Sequence, residues 1–351
     1  MYEKELKELV RISQAAGNDP AMVQGGGGNT SVKLDDELMA VKASGFQLKQ
    51  ITETDGYVVV KYRNLKEYIK NVDFSSGVDY EKDSTAFVKE NIVRFEGMKE
   101  LRPSVEAGFH SVLKKYVIHT HPVYANLLCC SQNGKELADR IFAGKDFTYA
   151  WIPSVNPGFT LSVKVYEAVE ECIRTKGAFP EVILMENHGL IVSADDMERC
   201  ISLHSRVNED VKAFVGVKQD FPRVELEKVD EGTYVSRTDY LIQLFRDRNI
   251  GYDYFDRPLY PDQLVYLNGS ICLDGLDNKL NIDTKTGQIT YKAGYNEAIA
   301  IEETLAGVVY IYETVEQCGL KLKAMGDEEI SFIKGWESEK YRRKLVQESN
   351  K

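Results

Sequence analysis

The sequence predicts an α/β protein: a layered unit over residues 1–220, with helices flanking a central, mostly antiparallel sheet, and a C-terminal α+β extension over residues 221–351. Three observations predict it. Short β-rich runs such as TSVKL, LMAVKAS and YVVVKY follow one another through turn-forming residues, as hairpin-connected strands do. Amphipathic helical runs are interleaved with them, among them MYEKELKELVRISQ and MERCISLHSRVNEDVKAFV. At 351 residues the chain exceeds the usual single domain of about 100 to 200, so a second folded part is expected.

The first helix is expected over Tyr2 to Ala16, and the loop GNDPAMVQGGGGNTS that follows is dense in glycine and asparagine turn signals. TSVKL and LMAVKAS form a hairpin across Asp35, Asp36 and Glu37, and YVVVKY near Val60 adds a strand. Helices follow over Lys82 to Phe95 and over Ser104 to Lys115, where Pro103 and Ser104 supply a start signal. KYVIHTH reads as a strand ending at Pro122, with a helix through ANLLCCS beyond it. EVILMENHGLIVSA reads as a second apolar strand, and after Asp195 and Asp196 a long helix completes the first unit. The extension holds a strand at VYLNG, a hairpin around Thr284 to Gly287, a long apolar helix through NEAIAIEETLAGVVYIYETVEQCG, and a charged terminal helix.

Composition removes several classes of function. A net charge of -11 argues against a surface for nucleic acid or acidic membrane, which needs an excess of lysine and arginine. No run approaches the ~18 apolar residues of a membrane span, and the N-terminus lacks the apolar core of a signal peptide, so a cytoplasmic protein is expected. The six cysteines show no CxxC spacing and read as reduced, packed thiols. No G-x-G-x-x-G follows a strand, so neither an organic cofactor nor a dinucleotide-binding half is expected in this chain.

Of only five histidines, three fall in two short contexts. His119 and His121 are two residues apart on a strand, where side chains alternate, so both rings point to the same side and can grip one metal ion. His188, in ENHG, precedes a glycine that lets another group approach the backbone. Three neutral imidazoles leave zinc its full charge and an open position, the arrangement of a catalytic site, although other divalent transition metals also suit them. Taken singly, an H-x-H on a strand is more often a surface or internally satisfied pair. The conjunction with other motifs changes that balance.

GGGGNTS, KASG, PSVE, HTHP and ENHG, in this order and at roughly this spacing, resemble the class II aldolase and adducin family over about residues 1 to 220. Within it the chain is similar to rhamnulose-1-phosphate and fuculose-1-phosphate aldolases, and YPDQLVYLNG looks like the aldolase half of longer aldolase and dehydrogenase fusions. The resemblance implies a class II aldolase-like fold. It also implies a zinc-dependent lyase that cleaves or forms a ketose 1-phosphate through a metal-stabilised enediolate of dihydroxyacetone phosphate. His119, His121 and His188 would hold the metal, and Glu106, in PSVE, matches the family's catalytic carboxylate, its pKa raised by partial burial.

The phosphate would be held by the loop through Gly28, whose glycines let backbone N–H groups point inward, and by Asn29; the resemblance adds Ser44, Gly45 and Ser104. His110, one helical turn after Glu106, could orient it, but a histidine on a helix face is more often simply packed or exposed, and His204 fits its helix without a special role. At IPSVNPG this chain has Ser154 where relatives carry a proton-donating tyrosine, which leaves Tyr149 or a C-terminal tyrosine as substitutes. Sugar-acid phosphate decarboxylases, dehydratases and pentulose-phosphate 4-epimerases share the scaffold, the epimerases with aspartate at the position of Glu106. Adducin-like proteins use it as an interaction module. The resemblance further implies a homo-oligomer, a cyclic tetramer with sites between subunits.

Overall fold

The computed structural model describes residues 2–335. α1 (Glu3–Gly17) buries Leu9, Ile12, Ser13 and Ala16, spaced three and four apart on one face, and packs on the first strand. β1 (Asn29–Lys33) and β2 (Leu38–Lys42) form the expected hairpin, whose turn is set by Asp35 Oδ1 accepting from the N–H groups of Glu37 (2.8 Å) and Leu38 (2.7 Å). β3 (Tyr57–Lys61), α2 (Tyr62–Lys70), α3 (Tyr80–Glu90) and β4 (Ile92–Val93) follow. Then come α4 (Ala107–Val112), β5 (Tyr116–Thr120), α5 (Val123–Cys129), α6 (Gly134–Phe142), β6 (Tyr149–Ile152) and α7 (Phe159–Lys176). β7 (Val182–Met185), β8 (Gly189–Ala194) and α8 (Met197–Val215) complete the first layered unit.

Its eight strands run in the order β4-β3-β2-β1-β5-β8-β7-β6, antiparallel except for β6 beside β7. The central strands are covered on both faces. Ile118, Leu190 and Val192 join one apolar core with α1, α5 and α8, while Val117 and Ile191 join a second with α4 and α7.

Beyond it lie β9 (Leu226–Asp230), β10 (Thr233–Ser236), α9 (Asp239–Asp247), β11 (Ile271–Leu273), β12 (Leu280–Ile282), β13 (Ile289–Lys292), α10 (Tyr295–Gln317) and α11 (Asp327–Gly335). The five strands form a second sheet in the order β11-β12-β13-β10-β9. The turn expected near Gly287 joins β12 to β13, with Asp283 Oδ1 accepting from Lys285 and Thr286 and Gly287 at φ +74°. α10 is the long apolar helix; it packs on α5 and shares the first core through Ile301, Leu305, Val308 and Val309. Of the charged terminal helix, α11 is described, and residues 336–351 lie outside the described residues. All six cysteines are free thiols, four of them buried. No described helix is long and apolar enough to cross a membrane.

Several elements differ from expectation. The helix expected to reach Phe95 stops at Asn91, so that Ile92 and Val93 pair with β3. The helix expected over Ser104 to Lys115 is confined to α4; Leu113 is extended because the chain must enter β5 at Tyr116. EVILMENHGLIVSA is two strands joined by a tight turn, with Met185 paired to Gly189 and Asn187 at φ +53°. VYLNG is no strand: Gln263–Leu267 is a π-helix buried throughout, and an apolar run with no exposed face signals burial without choosing between helix and strand. α6, β6 and α7 fill a stretch for which no element was expected. In α7, Leu161, Val163 and Val165 alternate as in a strand, and packing on α4 decides for helix.

Candidate active site

β5 carries His119 near its end and His121 just beyond it, while the β7–β8 turn brings His188 alongside. The three ring centroids stand 4.9, 5.0 and 5.1 Å apart, and one nitrogen of each ring lies within 4.8 Å of the others. All three rings are buried. Close approach depends on Gly189, where a Cβ would sit 2.4 Å from the Thr120 carbonyl oxygen and 3.0 Å from His121 Cδ2. The Leu190 carbonyl can only accept, so His119 Nδ1 carries the hydrogen of their 3.0 Å bond and Nε2 presents a lone pair. His119 Nε2 and His121 Nε2 face each other at 3.2 Å. Three buried imidazoles, each with a ring nitrogen this near the others, fit a divalent transition metal of the borderline-soft kind.

Glu106 caps α4 and turns its carboxylate into this cluster, with Oε1 3.2 Å from His188 Nε2 and Oε2 3.5 Å from His119 Nε2. The expectation of a raised pKa is corrected. Burial does push the carboxyl up, but the surrounding His119, His188 and His121, with a hydrogen bond from His188, hold it well below the usual range. Burial in turn holds His119 well below the usual imidazole value, against the pull of Glu106.

Asn29 links the carboxylate to the core. Its Nδ2 donates to Glu106 Oε2 (2.7 Å) and Ser104 Oγ (3.1 Å), while its Oδ1 accepts from His110 Nε2. His110 Nδ1 in turn accepts from the Ser31 hydroxyl at 2.6 Å. Burial lowers the pKa of His110 to about 3, so the ring stays neutral, the form this relay requires. His110 therefore reaches Glu106 through Asn29, not directly. His204, expected to have no special role, bonds Thr120 Oγ1 at 2.6 Å from α8 and steadies the residue between His119 and His121.

Gly28, Asn29, Ser44, Gly45 and Ser104 line one pocket with Glu106, His121 and His188. Gly28 adopts φ +64°, and a Cβ there would stand 2.6 Å from the His119 carbonyl oxygen. Lys42, at the end of β2, lines the same pocket, buried, with Nζ 3.4 Å from the Gly26 carbonyl oxygen. It is the one cation among the described lining residues and was missed from sequence, although it opens the KASG motif. Ser154 is turned away, its Oγ donating to Glu329 Oε1 at 3.1 Å. The Tyr149 hydroxyl donates to Asp139, and neither Tyr149 nor the buried Tyr260 lines the pocket.

The C-terminal part enters the site directly. Pro261 and Ile333 line the pocket, and the fully buried Asp262 places Oδ2 2.6 Å from His121 Nδ1. Asn187 Nδ2 donates to the carbonyl oxygens of Leu259 (3.0 Å) and Lys323 (2.7 Å), tying down the turn that carries His188. Glu303 of α10 accepts from the Gly25 N–H at 2.8 Å and so holds the glycine loop.

Residues 7–214 match the class II aldolase and adducin N-terminal domain. A curated relative, the uncharacterized oxidoreductase YuxG of Bacillus subtilis, is 29% identical over 221 residues, 60% of this chain but only 30% of that protein's length. Among solved structures, the N-terminal class II aldolase domain of a conserved Thermoplasma acidophilum protein is 24% identical. It covers 60% of this chain and 93% of its own, with a TM-score of 0.50, and shares the fold. An L-fuculose 1-phosphate aldolase is 22% identical over 60% of this chain and 84% of its own, at a TM-score of 0.41. With the match extending over more than half of its length, the chain belongs to the class II aldolase and adducin N-terminal domain family.

Proposed function

We propose that the protein is a zinc-dependent lyase that cleaves or forms a ketose 1-phosphate by aldol chemistry, with residues 1–220 as its zinc domain and residues 221–351 as an extension. The observation that carries this reading is the Glu106 carboxylate, 3.2 Å from His188 and 3.5 Å from His119, set against the cluster of His119, His121 and His188 at one pocket. Those histidines would hold the metal, which when bound supplies a Lewis acid that stabilises negative charge on substrate oxygen. Glu106 takes a proton from the donor carbon in condensation and returns it in cleavage. Asn29 and, behind it, His110 fix which oxygen of Glu106 faces the substrate. Lys42, Ser44, Gly45, Ser104 and the backbone at Gly28 offer the charge and donors that a phosphate requires.

Condensation also needs an acid for the aldehyde oxygen, and no tyrosine is among the described residues that line the pocket. A subunit neighbour in a homo-oligomer is the proposed source. Decarboxylation does not need that group, so a sugar-acid phosphate decarboxylase is the second reading. Metal analysis of the purified protein, with dihydroxyacetone phosphate release measured across a panel of ketose 1-phosphates, separates them. About one zinc per chain with triose phosphate release supports the aldolase; zinc with carbon dioxide release from sugar-acid phosphates instead transfers the assignment. A well-folded protein that takes up no metal refutes both.

A further inference from the structure

We propose that Asp262 is a positioning residue of the metal centre: it fixes the tautomer and ring plane of His121, so that the C-terminal part completes the metal site. This rests on the metal-binding reading above. Asp262 Oδ2 lies 2.6 Å from His121 Nδ1, and both residues are buried. The carboxylate accepts the Nδ1 hydrogen, which leaves the Nε2 lone pair directed at the space shared with His119 Nε2, 3.2 Å away. A carboxylate on the far nitrogen makes an imidazole a more basic ligand and removes the rotational freedom that metal binding would otherwise have to freeze.

The glycine loop is shaped around this pair. A Cβ on Gly27 would stand 2.3 Å from Asp262 Oδ2 and 3.2 Å from His121 Nδ1, so the loop can pass only without a side chain there. Asp262 lies outside the residues that match the family, 7–214, in the C-terminal extension. Pro261 beside it reaches the pocket, and the same part holds the His188 turn through Asn187. Asp262 is not among the described residues that line the pocket, and its effect is exerted through His121.

The test is zinc affinity of the full-length protein by chelator competition, with the visible spectrum of the cobalt form, for wild type, Asp262→Asn, Asp262→Ala and Gly27→Ala. Asn keeps an acceptor but loses the charge, so a roughly 10- to 100-fold weaker affinity is expected, with a larger loss for Ala. The cobalt spectrum should shift in both, because the ligand field at His121 changes. Melting of the metal-free proteins separates affinity from folding. Should the Asp262 variants fail to fold, Gly27→Ala, which keeps the carboxylate and displaces it, is expected to weaken zinc by a similar factor. Affinity within twofold of wild type and an unaltered spectrum would overturn the inference while leaving the metal centre standing. A folded wild type that binds neither metal would overturn both.

Discussion

Replacing Asn29 with Ala removes three hydrogen bonds from one buried point. It deletes the 2.7 Å donor to Glu106 and the 3.1 Å bond to Ser104, and it leaves the Nε2–H of the fully buried His110 without its acceptor. A bond to a charged group contributes about 1.5 to 3 kcal/mol, and a buried donor stripped of its partner costs about 1 to 3 kcal/mol. Asn29→Ala is therefore expected to destabilise the metal-free protein by about 3 to 5 kcal/mol, read by urea unfolding in the presence of chelator. His110→Leu alone breaks the same relay from the other side. In the double variant the orphaned donor is gone, so the combined loss should fall short of the sum of the single losses by about 1 to 3 kcal/mol. Single effects that add to within about 0.5 kcal/mol would show that His110 and Asn29 do not act as a unit.

Further outcomes follow from the same geometry. Glu106→Gln should retain zinc and lose roughly 10²- to 10⁴-fold in turnover, measured by metal analysis and steady-state kinetics on one sample. Gly189→Ala, whose Cβ would meet the Thr120 carbonyl oxygen at 2.4 Å, should weaken both folding and zinc retention, since the clash displaces the strand end that carries His121. Lys42→Met should raise KM for a phosphorylated substrate far more than it lowers kcat, whereas equal effects on both would remove Lys42 from phosphate binding. Burial holds His110 at about 3 and His204 at about 4, below the usual ~6.5, so the unfolded chain takes up their protons first as pH falls. Their stabilising contribution is complete above about pH 6.5 and declines from there towards pH 3 to 4, by on the order of 1.4 kcal/mol per pH unit for each histidine. His204→Gln should make that decline shallower between about pH 6.5 and 4 and leave the part below pH 4, which belongs to His110, in place, as read by acid titrations followed by circular dichroism.

Much of the first layered unit was legible because its signals are local. The spacing of Leu9, Ile12 and Ala16 marks α1, and Asp35 marks the β1–β2 turn. Val117 and Ile118 alternate between two cores as a strand requires. The grouping of His119 with His121 follows from strand periodicity, and Glu106 and His188 were reached through the motif resemblance. Local signals failed where burial was complete. Gln263–Leu267 has no exposed face to show its period, and α7 carries strand-like alternation that only its packing on α4 overrides.

The sequence by itself determined that three of the five histidines stand in a suggestive order with Glu106 and a glycine loop, because two-residue alternation and motif order need no knowledge of distant neighbours. The tertiary structure alone decided the electrostatics of that group and its support. The Glu106 carboxyl is held below the usual range because its imidazole neighbours, brought together from β5 and the β7–β8 turn, outweigh burial. Asp262 meets His121 across 141 positions of chain, and Glu303 meets Gly25 across 278. Such pairings are set by how α10 packs on α5 and the π-helix on α10, and no short-range preference of either residue encodes them.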